Sequence, residues 1–405
     1  MANALKYRDY RVFWIGSMVS RNGEDMQEMA EDWLVFVMTG SPFLLGLVAF
    51  CKGPSRMLLA PIFGAVIDRV DRKKILIGVY LFQLASALVY GTLVATGAIA
   101  FWQILILATL DGLVAPLSRV TRQTVIPNLV PKESLVSAIS LNSVGNNTCQ
   151  VIAPLLGGLL IISLGTASVF FINAFSFLAI IASLITVRLP ERENIIGGLN
   201  IRKDVSEGFR FVWHHPLILE VMTIQFFSFF FAMPFNRFFP VYAKDILHIG
   251  PTGLGLLKGS YAAGNVLGGI GLISFSGIKN QLALLRGSAL VFTVVLIGFA
   301  LASWLPLSLS LLIVIGAANM VFRATALSVI HLNVSDEFRG RLMGLHHMEL
   351  GFRSVGALLV GSLASMVGIP LAITAGTTIF GLFCILTPYY KSYQKKNPPK
   401  DSNVA

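Results

Sequence analysis

Five carboxylates crowd into the fourteen residues "RNGEDMQEMAEDWL", Arg21 to Leu34: Glu24, Asp25, Glu28, Glu31 and Asp32. Acids at this density can hold cations, exchange protons or lock onto bases, and which they do depends first on whether they share a face. At about 100° per residue, Arg21 and all five acids fall within an arc of about 120° on a helix, with Met26, Met29, Ala30, Trp33 and Leu34 on the rest. One face is acidic and the other packs. The surrounding chain is 55% hydrophobic and 13% charged, and an ionisable side chain in an apolar helix is expensive unless it faces a partner or a watered cavity. Asp111 in the fourth apolar run adds a sixth acid, while the bases at hand are Arg21 on the same face and Lys52 and Arg56, four apart in the second run. Fixed pairing can absorb part of the row, but two or three bases cannot neutralise six acids. The remainder must face water, protonate or meet a ligand. A carboxyl in a partly dry cavity holds a proton more tightly than one in water and releases it when the cavity opens, which is a proton-coupling device. Glu28 is central on the arc, Glu24 and Asp25 lie near mid-membrane depth, and Glu31 and Asp32 are placed for an external gate.

The second half of the chain has the opposite sign. Arg237, Lys258, Arg323 and Arg353 outnumber Glu349. His346, Glu349 and Arg353 stand at i, i+3 and i+7 and share a helical face, where Glu349 and Arg353 can also form a plain i, i+4 ion pair. His346 and its neighbour His347 suit either packing or proton exchange. A cavity acidic on one wall and basic on the other suits a zwitterionic solute, or the opposed charges bridge the two walls as a gate. "QFFSFFFAMPFNRFFP", Gln225 to Pro240, adds a kink expected at Pro234 and an aromatic face. Phe231 and Phe235 there either pack or form a hydrophobic wall for an amphipathic substrate.

These residues need elements that hold them in a bilayer. Mean hydropathy is +0.76, more apolar surface than a water-soluble globule can hide. Twelve apolar runs can be placed, at about 11–39, 42–66, 75–96, 99–124, 134–163, 166–188, 216–243, 252–275, 281–303, 306–332, 340–367 and 369–389, each long enough to cross a hydrocarbon core as a helix. The first sixteen residues carry no short apolar core followed by a small-residue cleavage site, so the first run is expected to stay as a helix. Cys51, Cys149 and Cys384 fall in separate runs with neither a disulfide framework nor a metal-ligand spacing. The net charge of +11 sits in alternate loops rather than on one soluble element, which makes it a matter of topology and not of nucleic acid. The positive-inside rule puts both termini and the middle loop in the cytoplasm. The expected organisation is a six-helix bundle over 1–188, a cytoplasmic linker over 189–215, a second bundle over 216–390 and a tail over 391–405. Runs 3, 6, 9 and 12 have essentially no ionisable residue in their interiors and are expected to face lipid.

The halves repeat. A shift of 204 residues pairs Arg119 with Arg323, Thr121 with Thr325, Glu133 with Glu337, Ala153 with Ala357 and Gly157 with Gly361. Parallel six-helix halves joined by a cytoplasmic loop are a transporter architecture, with the substrate path between them near the midplane.

"GAVIDRVDRKKIL", Gly64 to Leu76, resembles the G-x-L-A-D-R-x-G-R-K signature between helices 2 and 3 of the major facilitator superfamily, with Asp71 in place of the second Gly. "APLLGG", Ala153 to Gly158, resembles the helix 5 antiporter motif, with Ala153 for its first Gly; "PNLVPKESLVSAISL" and "DEFRGRLMGL" are similar to the branch that includes the enterobactin exporter and macrolide-efflux proteins. The resemblance implies an all-α membrane protein of twelve transmembrane helices in two pseudo-symmetric bundles. It implies a cytoplasmic gate in which Asp68 and Arg72 form a charge relay. It implies alternating-access transport by a monomer in the cytoplasmic membrane. No phosphate-binding loop, metalloprotease motif or nucleophile elbow is present, so neither ATP hydrolysis nor membrane enzymology is expected. The expectation is a transporter without cofactor or bound metal, driven by the proton gradient and exporting a small organic molecule such as a drug or siderophore. Proton-coupled uptake, or export of a metal cation or polyamine drawn to the acids, are the alternatives.

Overall fold

The computed structural model describes residues 4–53, 71–187, 201–274, 280–334 and 336–386. Among the described residues there is no strand. The helices are α1 Arg8–Thr39, α2 Pro42–Gly53, α3 Arg72–Ala95, α4 Phe101–Val125, α5 Leu135–Leu164 and α6 Thr166–Thr186. After α7, Ile201–His214, follow α8 Pro216–Ile246, α9 Gly250–Ser274, α10 Gln281–Leu301, α11 Leu305–Asn333, α12 Asp336–Val367 and α13 Ile369–Leu386. With α7 set aside, these correspond to the twelve apolar runs. Eight are long and apolar enough to cross a membrane by themselves. α1 fails that test because of its own acids and bases, and therefore must keep its charged face inside the protein.

The expected linker is partly helix. "IRKDVSEGFRFVWH" reads as polar by composition, yet Phe211 and Val212 turn inward in α7, where Phe211 stacks on Phe338 of α12 and on His215. The opposite side leaves Phe209 and Trp213 exposed. Composition hid an amphipathic period. The kink at Pro234 is present: α8 passes through a π-turn at Ser228–Ala232 and a 3-10 turn at Met233–Phe238. Proline has no N–H for the carbonyl four residues back and its ring crowds that carbonyl. Gly356 of α12 packs against this point, facing Phe230 O and Pro234.

Among the described residues five glycines have positive φ, and Gly165 after α5 and Gly368 after α12, at φ 80° and 84°, are counterparts. Both lie at the end of the molecule opposite the start of α1, called here the distal end. Near it the halves meet backbone to backbone. A Cβ on Gly361 of α12 would lie 2.7 Å from Pro42 O of α2, and one on Gly158 of α5 would lie 2.6 Å from Pro251 O of α9. Likewise Gly46 of α2 faces Ala357, and Gly255 of α9 faces Pro154. These two seams, α2 with α12 and α5 with α9, are related by the internal repeat, and small residues are what allow such close helix approach.

The same contacts correct the register. Within the bundles, Gly112 packs on the backbone of Lys52 as Gly316 packs on that of Tyr261, which agrees with a 204-residue shift for α4 and α11. At the seams, however, Pro154 rather than Ala153 corresponds to Ala357, and Gly158 rather than Gly157 to Gly361. The offset there is one residue smaller. Gly157 instead packs on Met26 and Met29, the apolar face of α1.

α3, α6 and α13 expose apolar side chains such as Leu81, Phe175 and Leu382, as α4 and α5 do with Trp102 and Ile139. α10 carries a charge at one end, where Arg286 pairs with the buried Glu220 of α8. Gly361→Val should push α12 off Pro42. The expected result is a loss of about 1–3 kcal/mol of stability, read as a lower melting midpoint, together with a wider distance between spin labels at the distal ends of α2 and α12.

Candidate functional site

α1 places its acids on one face as its period requires, and that face is met by bases from four other helices. At its proximal part Arg21 holds Asp25 at 2.9 Å and Glu24 at 3.5 Å, while Arg122 of α4 approaches Glu24 at 3.6 Å. Farther along, Lys52 of α2 reaches the buried Glu31 at 2.7 Å. In this geometry Lys52 is the base that meets Glu31 of the row. It can serve because Gly112 lets α2 press against α4 at that level.

The proximal and middle acids line a cavity of about 90 Å³ inside the first bundle, walled by Arg21, Glu24, Asp25, Glu28 and Glu31 of α1, Lys52, Gln83 of α3, Asp111 of α4, and Asn173 and Phe177 of α6. Asn173 donates to Gln27 at 2.6 Å and so fixes the amide side of the wall. Asp111 faces Ser86, Lys52 and Glu31. Among the described residues it makes no ion pair, and its Oδ1 lacks a hydrogen-bond partner. Of the six acids it is the one not committed to a base.

The distal acids do something different. Asp32 is buried, and its two oxygens take Arg237 of α8 at 3.1 Å and Lys258 of α9 at 2.9 Å. Arg237 also holds Glu28 at 2.5 Å. One helix of the first half is thereby tied to two helices of the second. A buried pair of this kind gains little net stability, because desolvation offsets attraction, but removing one partner leaves a charge stranded. Such a cluster holds two bodies in one arrangement more than it strengthens either.

In the second half, Arg353 of α12 hydrogen-bonds to Asn236 Oδ1. Arg323 of α11 has an exposed side chain, and both arginines lie close enough to Tyr261 to act on its hydroxyl. Asn319, one turn from Arg323 on the same face, donates to Tyr261 Oη at 2.8 Å and to Asn265 Oδ1 at 3.0 Å. Phe235 is 1% exposed and packs edge-on against Phe239, Tyr261, Phe292 and Phe299. It is core here, not a cavity wall. Phe231 is half-buried and lies in a chain of rings with Phe227 and Phe230.

Asp68 and Arg56 lie outside the described residues, as do the side chains of Arg72, His346 and Glu349. Asp71, the departure from the loop signature, caps α3 by accepting from Lys73 N at 2.8 Å. Sequence reasoning passed over Arg122, Asn236, Tyr261, Asn319 and the Glu220–Arg286 pair. Arg122 could have been found: it stands three residues from Arg119 in α4, so one face of that helix meets the acidic row. Asn236, Tyr261 and Asn319 are neutral and leave no charge signal, and Glu220 and Arg286 stand within six residues of the starts of their runs, where a charge reads as belonging to the membrane edge.

A model of the family described as transmembrane secretion effector matches residues 2–400. Macrolide efflux protein A of Streptococcus pyogenes is 22% identical over 96% of this chain and 98% of that protein. The multidrug efflux pump Tap of Mycolicibacterium fortuitum is 24% identical over 93% and 95%. A solved bacterial homolog of the human lysosomal transporter Spinster, inward-facing and unoccupied, superimposes with a TM-score of 0.76 over 98% of each chain at 16% identity. That likeness extends to the fold.

Glu31→Gln takes away the carboxylate that Lys52 reaches at 2.7 Å, leaving Asp111 as the nearby acid of the cavity, and should cost about 1–3 kcal/mol. Glu31→Gln with Lys52→Met should recover most of it. Melting midpoints of the two variants in the same detergent check this, and equal midpoints would remove the pair from the structural account.

Proposed function

The chain belongs to the transmembrane secretion effector family of major facilitator transporters, and from that premise we propose that it is a proton-coupled antiporter exporting a small organic solute across the cytoplasmic membrane by alternating access. The two relatives named above bear the names of an efflux protein and an efflux pump, and the distribution of loop bases favours cytoplasmic termini. In that orientation the distal seams close the outer side. The observation that carries the reading is the Asp32 cluster, which ties α1 to α8 and α9 just where the halves must part for the outer side to open.

Asp111 supplies the other requirement. As an uncommitted buried carboxyl it takes up a proton while its cavity communicates with the outside and gives it up toward the cytoplasm. When ionised, Asp111 competes with Glu31 for Lys52. When protonated, it leaves Lys52 on Glu31. Glu31 adjoins Asp32 in the chain and feels Arg237. Uncovering Glu31 therefore draws Arg237 away from Asp32 and loosens the bond between the halves, so the charge on Asp111 is read at the gate through one lysine and one carboxylate. Glu28, held to Arg237, belongs to the gate in this scheme and not to the proton path.

The proposed domain limits, 1–188, 189–215 and 216–390, follow the same logic, with α7 inside the linker. The Asp68 and Arg72 relay would latch the cytoplasmic side in the opposite state.

In proteoliposomes with an imposed pH gradient, wild type should move substrate against the proton flow. Asp111→Asn should lose that pH-driven accumulation yet keep substrate-for-substrate exchange. Accumulation by the variant equal to wild type would remove Asp111 from coupling, and wild-type movement of solute with the protons would make the protein an uptake system. Asp32→Asn should strand Lys258 and leave Arg237 on Glu28 alone. At about 3–5 kcal/mol it shifts the conformers more than a hundredfold toward the state open at the distal end, which distances between labels on α1 and α8 report.

A further inference from the structure

Among the residues that wall the cavity of the first bundle, Gln83 is the one whose polarity the fold does not require. It lies on α3, an apolar helix that turns Leu81, Leu88 and Val89 outward. Gln83 is turned the other way, is 8% exposed and lines the cavity together with Asp111. Its Oε1 is buried and receives no hydrogen bond. A buried carbonyl left without a donor costs about 1–3 kcal/mol, and a leucine or methionine would fill the position without that cost. A working state in which something donates to Gln83 accounts for it.

Among the described residues, the side-chain donors of the wall are engaged elsewhere. Asn173 gives its N–H to Gln27 at 2.6 Å, Lys52 is on Glu31 at 2.7 Å and Arg21 is on Asp25 at 2.9 Å. Arg21 Nε alone is a buried donor without an acceptor. The cavity, at about 90 Å³, has room for water to meet it, since about 10–15 Å³ suffices for one molecule. The other unpartnered oxygen is Asp111 Oδ1. While Asp111 is ionised, the cavity thus holds two acceptors that each lack a donor. One proton satisfies both: carried on Oδ1, it supplies the O–H that Gln83 Oε1 accepts, directly or across one water. The charged and titratable groups around Asp111 are Arg21, Glu24, Asp25, Glu28 and Glu31 of α1 and Lys52 of α2. Tyr90 of α3 gives its hydroxyl to Ile104 O at 3.2 Å, and α6 contributes the neutral Asn173 and Phe177.

We propose that Gln83 is the partner of Asp111 in its protonated form, as Lys52 is in its ionised form, so that gaining a proton turns the carboxyl from α2 to α3. This rests on the coupling reading above and deepens it by naming what holds the protonated state. A hydronium ion among the cavity waters hands the proton over, an O–H bond forming on Oδ1 as one breaks on the water, and release is the reverse step. Gln83 accepts a hydrogen bond and exchanges no proton, so it is a positioning residue. By keeping the neutral carboxyl to itself it leaves Lys52 on Glu31, and the joint at Asp32 stays closed.

The test follows distances between labels on α1 and α8 of the full chain in lipid nanodiscs as pH is varied. Wild type should loosen as pH rises through a midpoint. Gln83→Met, which keeps the volume and removes the acceptor, should loosen at a midpoint about one pH unit lower, a tenfold weaker hold on the proton. Gln83→Asn keeps an amide and should recover part of the shift. Gln225→Met removes an equally buried and unpartnered amide from α8 and should leave the midpoint unmoved. The infrared C=O stretch of protonated Asp111, assigned by its loss in Asp111→Asn, should move to higher wavenumber in Gln83→Met, as for a carboxyl deprived of its acceptor. Melting gives a second measurement that needs no pH response. The amide at 111 in Asp111→Asn donates an N–H as the protonated acid would, so Gln83→Met should lower its melting midpoint more than that of the chain with ionised Asp111 at high pH. A midpoint and an infrared band that Gln83→Met leaves in place, or additive melting effects, overturn the proposal. A wild type without any pH response would sink the coupling scheme, and the melting cycle would then decide the contact by itself: non-additivity retains it, additivity removes it.

Discussion

Everything in this fold turns on the cost of keeping Asp32 ionised inside a bilayer-spanning protein. An isolated carboxylate there would be far too expensive to hold, so Asp32 requires Arg237 and Lys258. Those bases come from the other half of the molecule. α1 is therefore bound to α8 and α9 by the same requirement that permits its acidic face to exist. The close backbone seams, Pro42 to Gly361 and Pro251 to Gly158, bring the halves near enough for these side chains to reach.

The two devices differ in kind. The seams are steric: small residues allow contact, and dispersion and packing hold it without much dependence on protonation. The Asp32 cluster is electrostatic and can be reset by moving a single charge. A joint made of seams alone would have no reason to open on a proton signal, and one made of charges alone would lack the shape that excludes water from them. Water exclusion is what makes one charge worth enough to matter.

Much of this was legible in sequence. Within the described residues the apolar runs match the helix bounds to within a few residues, because twenty-residue hydrophobicity is a strong signal and the bilayer fixes its length; the end of the run 42–66 lies outside them. The phase of Glu24 to Asp32 gave the acidic face, and the charge count gave the conclusion that some acid must lack a base. The count could not say that the acid is Asp111 and not Glu28, because pairing depends on which helices touch. Arg237 reaches Glu28 only across the seam between halves. The Pro234 kink was readable from the missing N–H, but the fate of Phe235 was not, since a hydrophobic ring looks the same in a core as on a wall. α7 was hidden by its polar residues, and the one-residue change in repeat offset at Ala357 and Gly361 was hidden because Ala and Gly also occupy the neighbouring positions in α5.

The repeat itself sharpens the functional asymmetry. α2 and α9 correspond, and so do α4 and α11, yet Lys52 in the first half has Tyr261 as its counterpart in the second. Where the first bundle holds an ionic pair beside an uncommitted acid, the second holds a neutral hydroxyl, bonded by Asn319 at 2.8 Å, and Arg353 on the neutral Asn236. Duplicated halves would be expected to share backbone contacts, since these define the fold, and to differ where each has a separate task. The backbone contacts at Gly112 and Gly316 are shared, and the side chains around them have diverged in sign. Arg237 carries that divergence across the seam: its guanidinium touches Glu28 and Asp32 of the first half, so a change of charge on either side alters the electrostatic setting of the other.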